Sequence, residues 1–399
     1  MLLSWITIAL LYKFIRSYNI SWIALSGISL GMVSLTKPEF FLAAAAASIT
    51  TIIVWRWTAK PARYTFIMHI SAFSLSLLFA PAAAYALLCR TLNWSEAGVA
   101  VLGGWRYVIN NRINELLFYK SGMGLDNPIV NLVMMLAIGA AYIAILWPAV
   151  LLANDKKKIL LIEIIIVIAP GCIAFVPWVT GNAPPWHLLG KPLPIFLVLA
   201  AIGMVVQIAR NRSKKHMAAI ILIVYALILL AKMILNTRLW HYGFVLAMPA
   251  MMVLVITLFD WAPGAIIGKG GRKGIFLVSA TMFIIIFLLW HIPISFDRYQ
   301  SKSVVIGDGK DLIITDSRGE KVKETITWIK TNTSKSDTIA VLPEGAMINY
   351  FAERINPTPF INLMPPEIIM FGENRILEAF KLTPPDYIIL VHKDTSEYG

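Results

Sequence analysis

The chain has 399 residues, of which 58% are apolar and only 14% charged, with a mean hydropathy of +0.72. Soluble domains carry about 25% charged residues, so this composition excludes an ordinary soluble globular protein and points to a membrane protein. The formal net charge of +13 is unevenly placed: residues through 296 carry a net +16, whereas the remainder carries −3. Basic residues packed between apolar runs are the loop charge bias of a polytopic membrane protein, and no basic stripe with interleaved aromatics tracks a nucleic-acid backbone. Nucleic acid is therefore not an expected partner. Cys89 and Cys172 both lie inside apolar runs, which argues against a disulfide framework.

In chain order, apolar runs are predicted at 2–12, 20–36, 40–56, 66–89, 128–153, 159–179, 192–209, 217–234, 243–259 and 275–293. Most approach the roughly 17–25 residues needed to cross about 30 Å of hydrocarbon. Pro81, Pro170 and Pro249 are expected to bend three of them. The connecting segments sort by charge. "YKFIRSYN", "RWTAKPARY", "NDKKK", "RNRSKKH" and "GKGGRKG" together hold 15 Lys or Arg and are assigned to the cytoplasm. They alternate with the Lys37 corner, the 90–127 loop, "VTGNAPPWHLLGKP", "NTRLWHYG" and everything after His291, which fall on the outer side. Met1 is then placed outside. The start is not a signal peptide, having no basic leader and no small-residue cleavage site, so the expectation is a longer protein with an odd number of preceding spans.

Within the 90–127 loop, Trp105, Val108, Ile109, Ile113, Leu116 and Leu117 recur at helical spacing. They predict an amphipathic helix near 104–119, either lying in the membrane interface or packed on the outer domain. After about residue 295 the composition becomes that of a soluble domain. "KDLIITD", "SDTIAVLPE", "PTPFINL" and "DYIILVHK" read as strands, and "RGEKVKETITWIKTN", "EGAMINYFAER" and "PPEIIMFGENRILEAFKL" as helices between them. The expected architecture is a polytopic α-helical membrane domain of about ten transmembrane helices over 1–295, followed by a small α/β extracytoplasmic domain over 296–399, whose last stretch, "SEYG", closes no element.

The sequence has no phosphate loop, dinucleotide fingerprint, HExxH, CxxC or Gly-x-Ser-x-Gly motif, so a cytoplasmic ATPase, a zinc protease and a serine hydrolase all lose support. What remains is a set of polar residues on the predicted outer side: Lys37 and Glu39, Arg106, Arg112 and Asp126, His187 and Lys191, and Arg238, Trp240, His241 and Tyr242. Outer segments hold eight Lys or Arg against four acids, where the charge bias should deplete basic residues. That excess calls for an anionic partner such as a phosphate or pyrophosphate headgroup. Snorkelling to the headgroups is the plain alternative for each cation, and Lys232 is assigned to it; Glu39 serves equally as the partner of Lys37. No metal ligands are singled out.

The stretch "GISLGMVSLTKPEFFLA" resembles the Gly-rich span ending in Leu-Thr-Lys of the C-superfamily (GT-C) glycosyltransferases, which include protein O-mannosyltransferases and the aminoarabinose transferases of lipid A. "HYGFVLAMPAMMVLV" and the tail "VLPEGAMINYFAERINPTPFINLMPPE" are similar to later parts of the same superfamily. The resemblance implies a bacterial-type inner or cytoplasmic membrane and a polyprenyl-phosphate-linked sugar donor. The acceptor would be a glycan, a lipid or a protein on the outer face. It also implies contact with the donor phosphate by Lys37, aided by Arg238, with the other outer residues lining the cavity. The superfamily's acidic residue of the first outer loop has no counterpart here, so the catalytic group is left unassigned; a divalent cation is the one cofactor the resemblance admits. A non-catalytic or degenerate membrane scaffold is the rival reading. A transporter, which would call for broken helices and internal repeats, is the weaker one.

Overall fold

The computed structural model describes residues 1–108, 111–154 and 186–398, without the side chains of 106, 107, 111, 154, 186, 187, 241 and 290. The chain divides into two compact units, Met1–Ile109 with Ser121–Ile286, and Asn110–Lys120 with Phe287–Gly399.

The first unit is built of long apolar helices. In order they are α1 (Leu2–Ser17), α2 (Ile20–Ser34), α3 (Pro38–Ala59), α4 (Arg63–Leu88) and α5 (Trp94–Val108). The short α6 (Asn111–Asn114) belongs to the second unit, and α7 (Leu117–Met123) leads back into the first, which continues with α8 (Pro128–Asn154), α9 (Leu193–Asn211), α10 (Lys214–Leu230), α11 (His241–Ile256), α12 (Ala262–Gly268) and α13 (Lys273–Gln300), the last running on past residue 286 into the second unit. A π-helical turn, Thr257–Trp261, joins α11 to α12. Nine of the ten predicted apolar runs are thus helical, and the tenth, 159–179 with Pro170, lies outside the described residues. Among the described residues, seven helical segments are long and apolar enough to cross a membrane; α1, with 16 residues, and α2, with 15, are shorter.

The helix α10 is the centre of this unit, packing on α1, α3, α9 and α11. Its Tyr225, Ala226, Leu229 and Leu230 are fully buried. In contrast, α4 and α8 expose apolar side chains such as Leu75, Phe79, Ile129 and Val133, as helices do when hydrocarbon rather than water is their solvent. The closest seam is between α2 and α4. Gly27 and Gly31, four residues apart on one face, lie against the backbone of α4: a methyl group at Gly31 would strike the Leu77 carbonyl oxygen, and one at Gly27 would lie 2.6 Å from the Phe73 carbonyl oxygen. Small residues at this spacing let two helix backbones meet, the usual solution where no hydrophobic effect drives association. Between α1, α2 and α10 the buried hydroxyls pair among themselves, Ser4 with Tyr225 at 2.6 Å and Thr7 donating to Ser29 at 2.9 Å.

The predicted interfacial helix over 104–119 is divided among α5, α6 and α7. Asn111 and Asn114 bound the four-residue α6, and asparagine side chains compete for backbone groups that a continuous helix would need. The segment 110–120 belongs to the second unit, where α6 packs on α16 (Pro365–Phe371) and the Phe118 ring meets Tyr398 at a tilt of 35° with the centroids 5.2 Å apart.

The second unit carries β1 (Val304–Ile306), β2 (Ile313–Thr315), α14 (Arg318–Asn332), β3 (Ile339–Leu342), α15 (Ala346–Ala352), α16, α17 (Glu373–Leu382) and β4 (Tyr387–Leu390). β1 and β2 form an antiparallel pair, and β3 and β4 a parallel pair joined by the α15–α17 crossover. Ile329, Ile339, Val341, Ile348 and Ala352 form its main core. Three predicted strands are present. "PTPFINL" is instead irregular, contributing one isolated bridge from Asn362 to Glu344, because its two prolines cannot donate to a ladder. The predicted long helix of "PPEIIMFGENRILEAFKL" breaks into α16 and α17 at Gly372, whose φ of +83° suits glycine.

Candidate functional site

Two polar clusters lie in the first unit, linked by the segment 231–242. The first is built on the corner between α2 and α3. Pro38 occupies the first position of α3 and holds the preceding Lys37 extended, with φ −94° and ψ 127°, so that this residue caps the helix with its backbone alone. The carbonyl of Lys37 accepts from the amides of Phe40 and Phe41, which leaves the side chain free to leave the corner, and it is exposed. Its ammonium lies 4.3 Å from the centroid of the Tyr242 ring.

Lys37 is not the partner of Glu39. Glu39 Oε1 instead accepts from the Tyr242 hydroxyl at 2.6 Å and from Lys232 Nζ at 3.1 Å. The Lys232 ammonium also lies 5.3 Å from the Tyr242 ring. The corner therefore gathers two ammonium groups and one carboxylate on one tyrosine, with Lys232 rather than Lys37 compensating the acid. Lys232, read from the sequence as a snorkelling residue, belongs to the cluster. Above the corner, the Trp105 indole N–H donates to the Ser34 carbonyl at 3.2 Å, and its ring meets Phe41 at 5.2 Å. The end of α5 thus packs on the turn that carries Lys37.

The second cluster joins three of the predicted residues, Asp126, Lys191 and Arg238. Lys191 begins the α9 region and is only 2% exposed, yet its one oxygen acceptor among the described residues is Asn131 Oδ1, at 2.6 Å. The Asn131 amide is held in turn, donating to the Gly124 carbonyl at 3.0 Å and to Asp126 Oδ1 at 3.4 Å. Asp126 and Arg238 are both within electrostatic range of the Lys191 ammonium. Arg238 Nη2 donates to the carbonyl and hydroxyl of Ser121 at 3.2 and 3.3 Å, and its guanidinium lies 5.9 Å from the Trp240 ring. Asn236 donates to the same Ser121 carbonyl at 2.7 Å. Arg238 is thus assembled with Lys191, and the cation beside Lys37 is Lys232.

Of the other predicted residues, the side chains of Arg106, His187 and His241 lie outside those described. Arg112 falls in the second unit, where it lines a groove with Glu115, Lys120, Glu373 and Tyr398. Asn131, Ser121 and Asn236 carried no sequence signal, being uncharged residues whose partners are far along the chain. Among the described residues no group of three or more His, Cys, Asp or Glu side chains could hold a metal ion. The chain matches no family model, no curated protein and no solved structure.

Proposed function

We propose that this multi-pass protein handles a lipid-borne phosphate at the Lys37 corner, as part of a GT-C-like transferase. Such an enzyme would move a sugar from a polyprenyl-phosphate donor to an acceptor on the outer face of the membrane. The observation that carries the reading is the uncompensated charge of Lys37. Its carboxylate neighbour is already engaged by Tyr242 and Lys232, and the exposed ammonium forms no ion pair among the described residues. In such a transfer the glycosidic C–O bond breaks, and the departing phosphate gains charge that a fixed cation stabilises. Lys37, with Lys232 behind the same ring, would supply that field. The second cluster would orient the neighbouring loops.

The experiment is binding of a polyprenyl monophosphate to the purified protein in detergent, read by intrinsic tryptophan fluorescence. Lys37→Ala should weaken binding at least about tenfold, and Lys37→Arg should retain most of it. Unchanged affinity in Lys37→Ala removes the proposed role. A second reading, a scaffold that binds the lipid phosphate without turnover, is favoured by the engagement of Glu39: with Oε1 accepting two bonds it is poorly placed to deprotonate an acceptor. Tight binding with no sugar release from a polyprenyl-phosphate sugar would select that reading.

A further inference from the structure

We propose that the end of the first unit remote from the Lys37 corner is a docking surface for anionic lipid headgroups, assembled from three interhelical turns. Pro38 and Ala59 bound α3, and 22 residues of helix separate the two ends by roughly 33 Å. Residues 13–22, 54–66 and 208–216 carry nine Lys or Arg and no Asp or Glu. The fold brings these three stretches together. Lys214 Nζ donates to the Arg16 carbonyl at 2.7 Å and lies 4.5 Å from the Tyr18 ring. Thr58 Oγ1 lies 3.5 Å from the sulfur of Met217, and Tyr18 meets Trp55 at 6.3 Å. His69, on α4, contacts the Tyr18 carbonyl at 3.1 Å. Among the described residues, the one acid paired with a cation of this group is Asp260, which is spent on Lys215 at 2.7 Å. Arg16, Lys60, Arg63, Arg212 and Lys214 therefore share a face with no paired carboxylate among the described residues.

A second observation concerns the backbone. The helices α1, α3 and α9 all end in a left-handed residue, the position where glycine is the ordinary choice. Here those residues are Tyr18, Lys60 and Arg212, with φ of 55°, 46° and 46°. Only one other non-glycine residue with positive φ is found among the described residues, Glu353 in the second unit. Two of the three caps thus hold a cation at a position where a side chain is disfavoured, and the third holds the tyrosine over which Lys214 lies. Clustered cations on an aromatic base, at the rim of helices apolar enough to span a bilayer, match the chemistry of a phosphodiester headgroup. This inference is independent of the transferase reading.

The test is thermal unfolding of the purified protein in mixed micelles, followed by tryptophan fluorescence. Phosphatidylglycerol should raise the midpoint above that in phosphatidylcholine by about 4 °C or more, and added salt should shrink the difference. The triple variant Lys60→Gly, Arg212→Gly, Lys214→Gln places glycine where the backbone favours it, so it should fold and lose at least half of that increment. Arg16→Gln with Arg63→Gln, which alters no left-handed residue, should lose part of it. The proposal is overturned if both lipids stabilise equally, if both variants keep the full increment, or if inorganic phosphate alone reproduces it.

Discussion

The Tyr242 hydroxyl donates to Glu39 at 2.6 Å, joining residues 203 apart in the chain and tying the start of α11 to the start of α3. Hydrogen bonds to charged groups contribute about 1.5–3 kcal/mol when buried. Tyr242→Phe should therefore cost on the order of 1–2 kcal/mol in this half-buried setting, measured by reversible unfolding in mixed micelles. Lys232→Ala should cost less, about 0.5 kcal/mol, because the Lys232 side chain is 47% exposed. Equal costs for the two variants would mean that the ion pair, not the tyrosine, holds the corner.

Lys191 and Asn131 set up a double-mutant test. Asn131→Leu strands a buried ammonium without its oxygen acceptor and should cost about 3 kcal/mol or more. Lys191→Met removes the charge along with its need and should be milder. In the double variant, the Asn131 substitution should add little to the cost of Lys191→Met; additive losses would show that Asn131 acts through other contacts.

Gly31→Ala should destabilise the α2–α4 seam by about 1–3 kcal/mol, since the added methyl meets backbone, which cannot rotate away. Gly203→Ala, at a position on α9 with open space around it, is the control and should be neutral or slightly stabilising. Similar stability of Gly31→Ala and wild type would show that the seam can open without loss.

In the second unit, Arg354 is 5% exposed and donates to Thr333 Oγ1 at 3.0 Å, to the Thr333 carbonyl at 2.9 Å and to the Ala352 carbonyl at 2.9 Å. Its planar fork ties the end of α14 to the end of α15. Arg354→Met should cost about 3 kcal/mol, and Arg354→Lys should rescue little of it, because one ammonium cannot span the same acceptors. Hydrogen exchange of the α14 and α15 amides reads the loss locally. Full rescue by lysine would reduce the role to charge alone.

Glu367 supplies a pH test. Burial, its largest influence, pushes the carboxyl above its ordinary value, and Glu344 adds to this; Oε2 has no hydrogen-bond partner among the described residues. The folded state thus holds this proton more tightly than the unfolded state. The resulting stability is fully present below the unfolded pKa of about 4.3 and is lost as pH rises through the folded value. Glu367→Gln should accordingly stabilise the second unit at pH 7.5 and leave it nearly unchanged at pH 4, by urea unfolding of the full chain followed through hydrogen exchange. A gain of equal size at both pH values would point away from ionisation.

Much of the helical architecture was legible because most of the apolar runs approach the length that a bilayer requires, and because Pro38 starts α3 locally; the left-handed caps at Tyr18, Lys60 and Arg212 were not, since none of them is a glycine. Strand β1 was missed: "VVI" is too short to establish a period of two and follows directly on the end of α13. The site was readable where it depends on charge in an apolar setting, as at Lys37, Glu39 and Lys191. It was not readable where it depends on pairing across the chain. Lys232 and Glu39 are 193 residues apart, and nothing near either residue distinguishes a paired lysine from one reaching for headgroups. Asn131 and Ser121 are ordinary polar residues at helix ends until Lys191 and Arg238 are folded against them.

At Gly27 and Gly31 no side chain of α2 separates it from the Phe73 and Leu77 carbonyls and the Ser76 hydroxyl of α4, so the seam has little compliance of its own. Most packed helices can slide by letting side chains change rotamer, but here carbonyl oxygens face bare α-carbons. A tilt of α4 must therefore carry α2 with it, and with α2 the turn at its end.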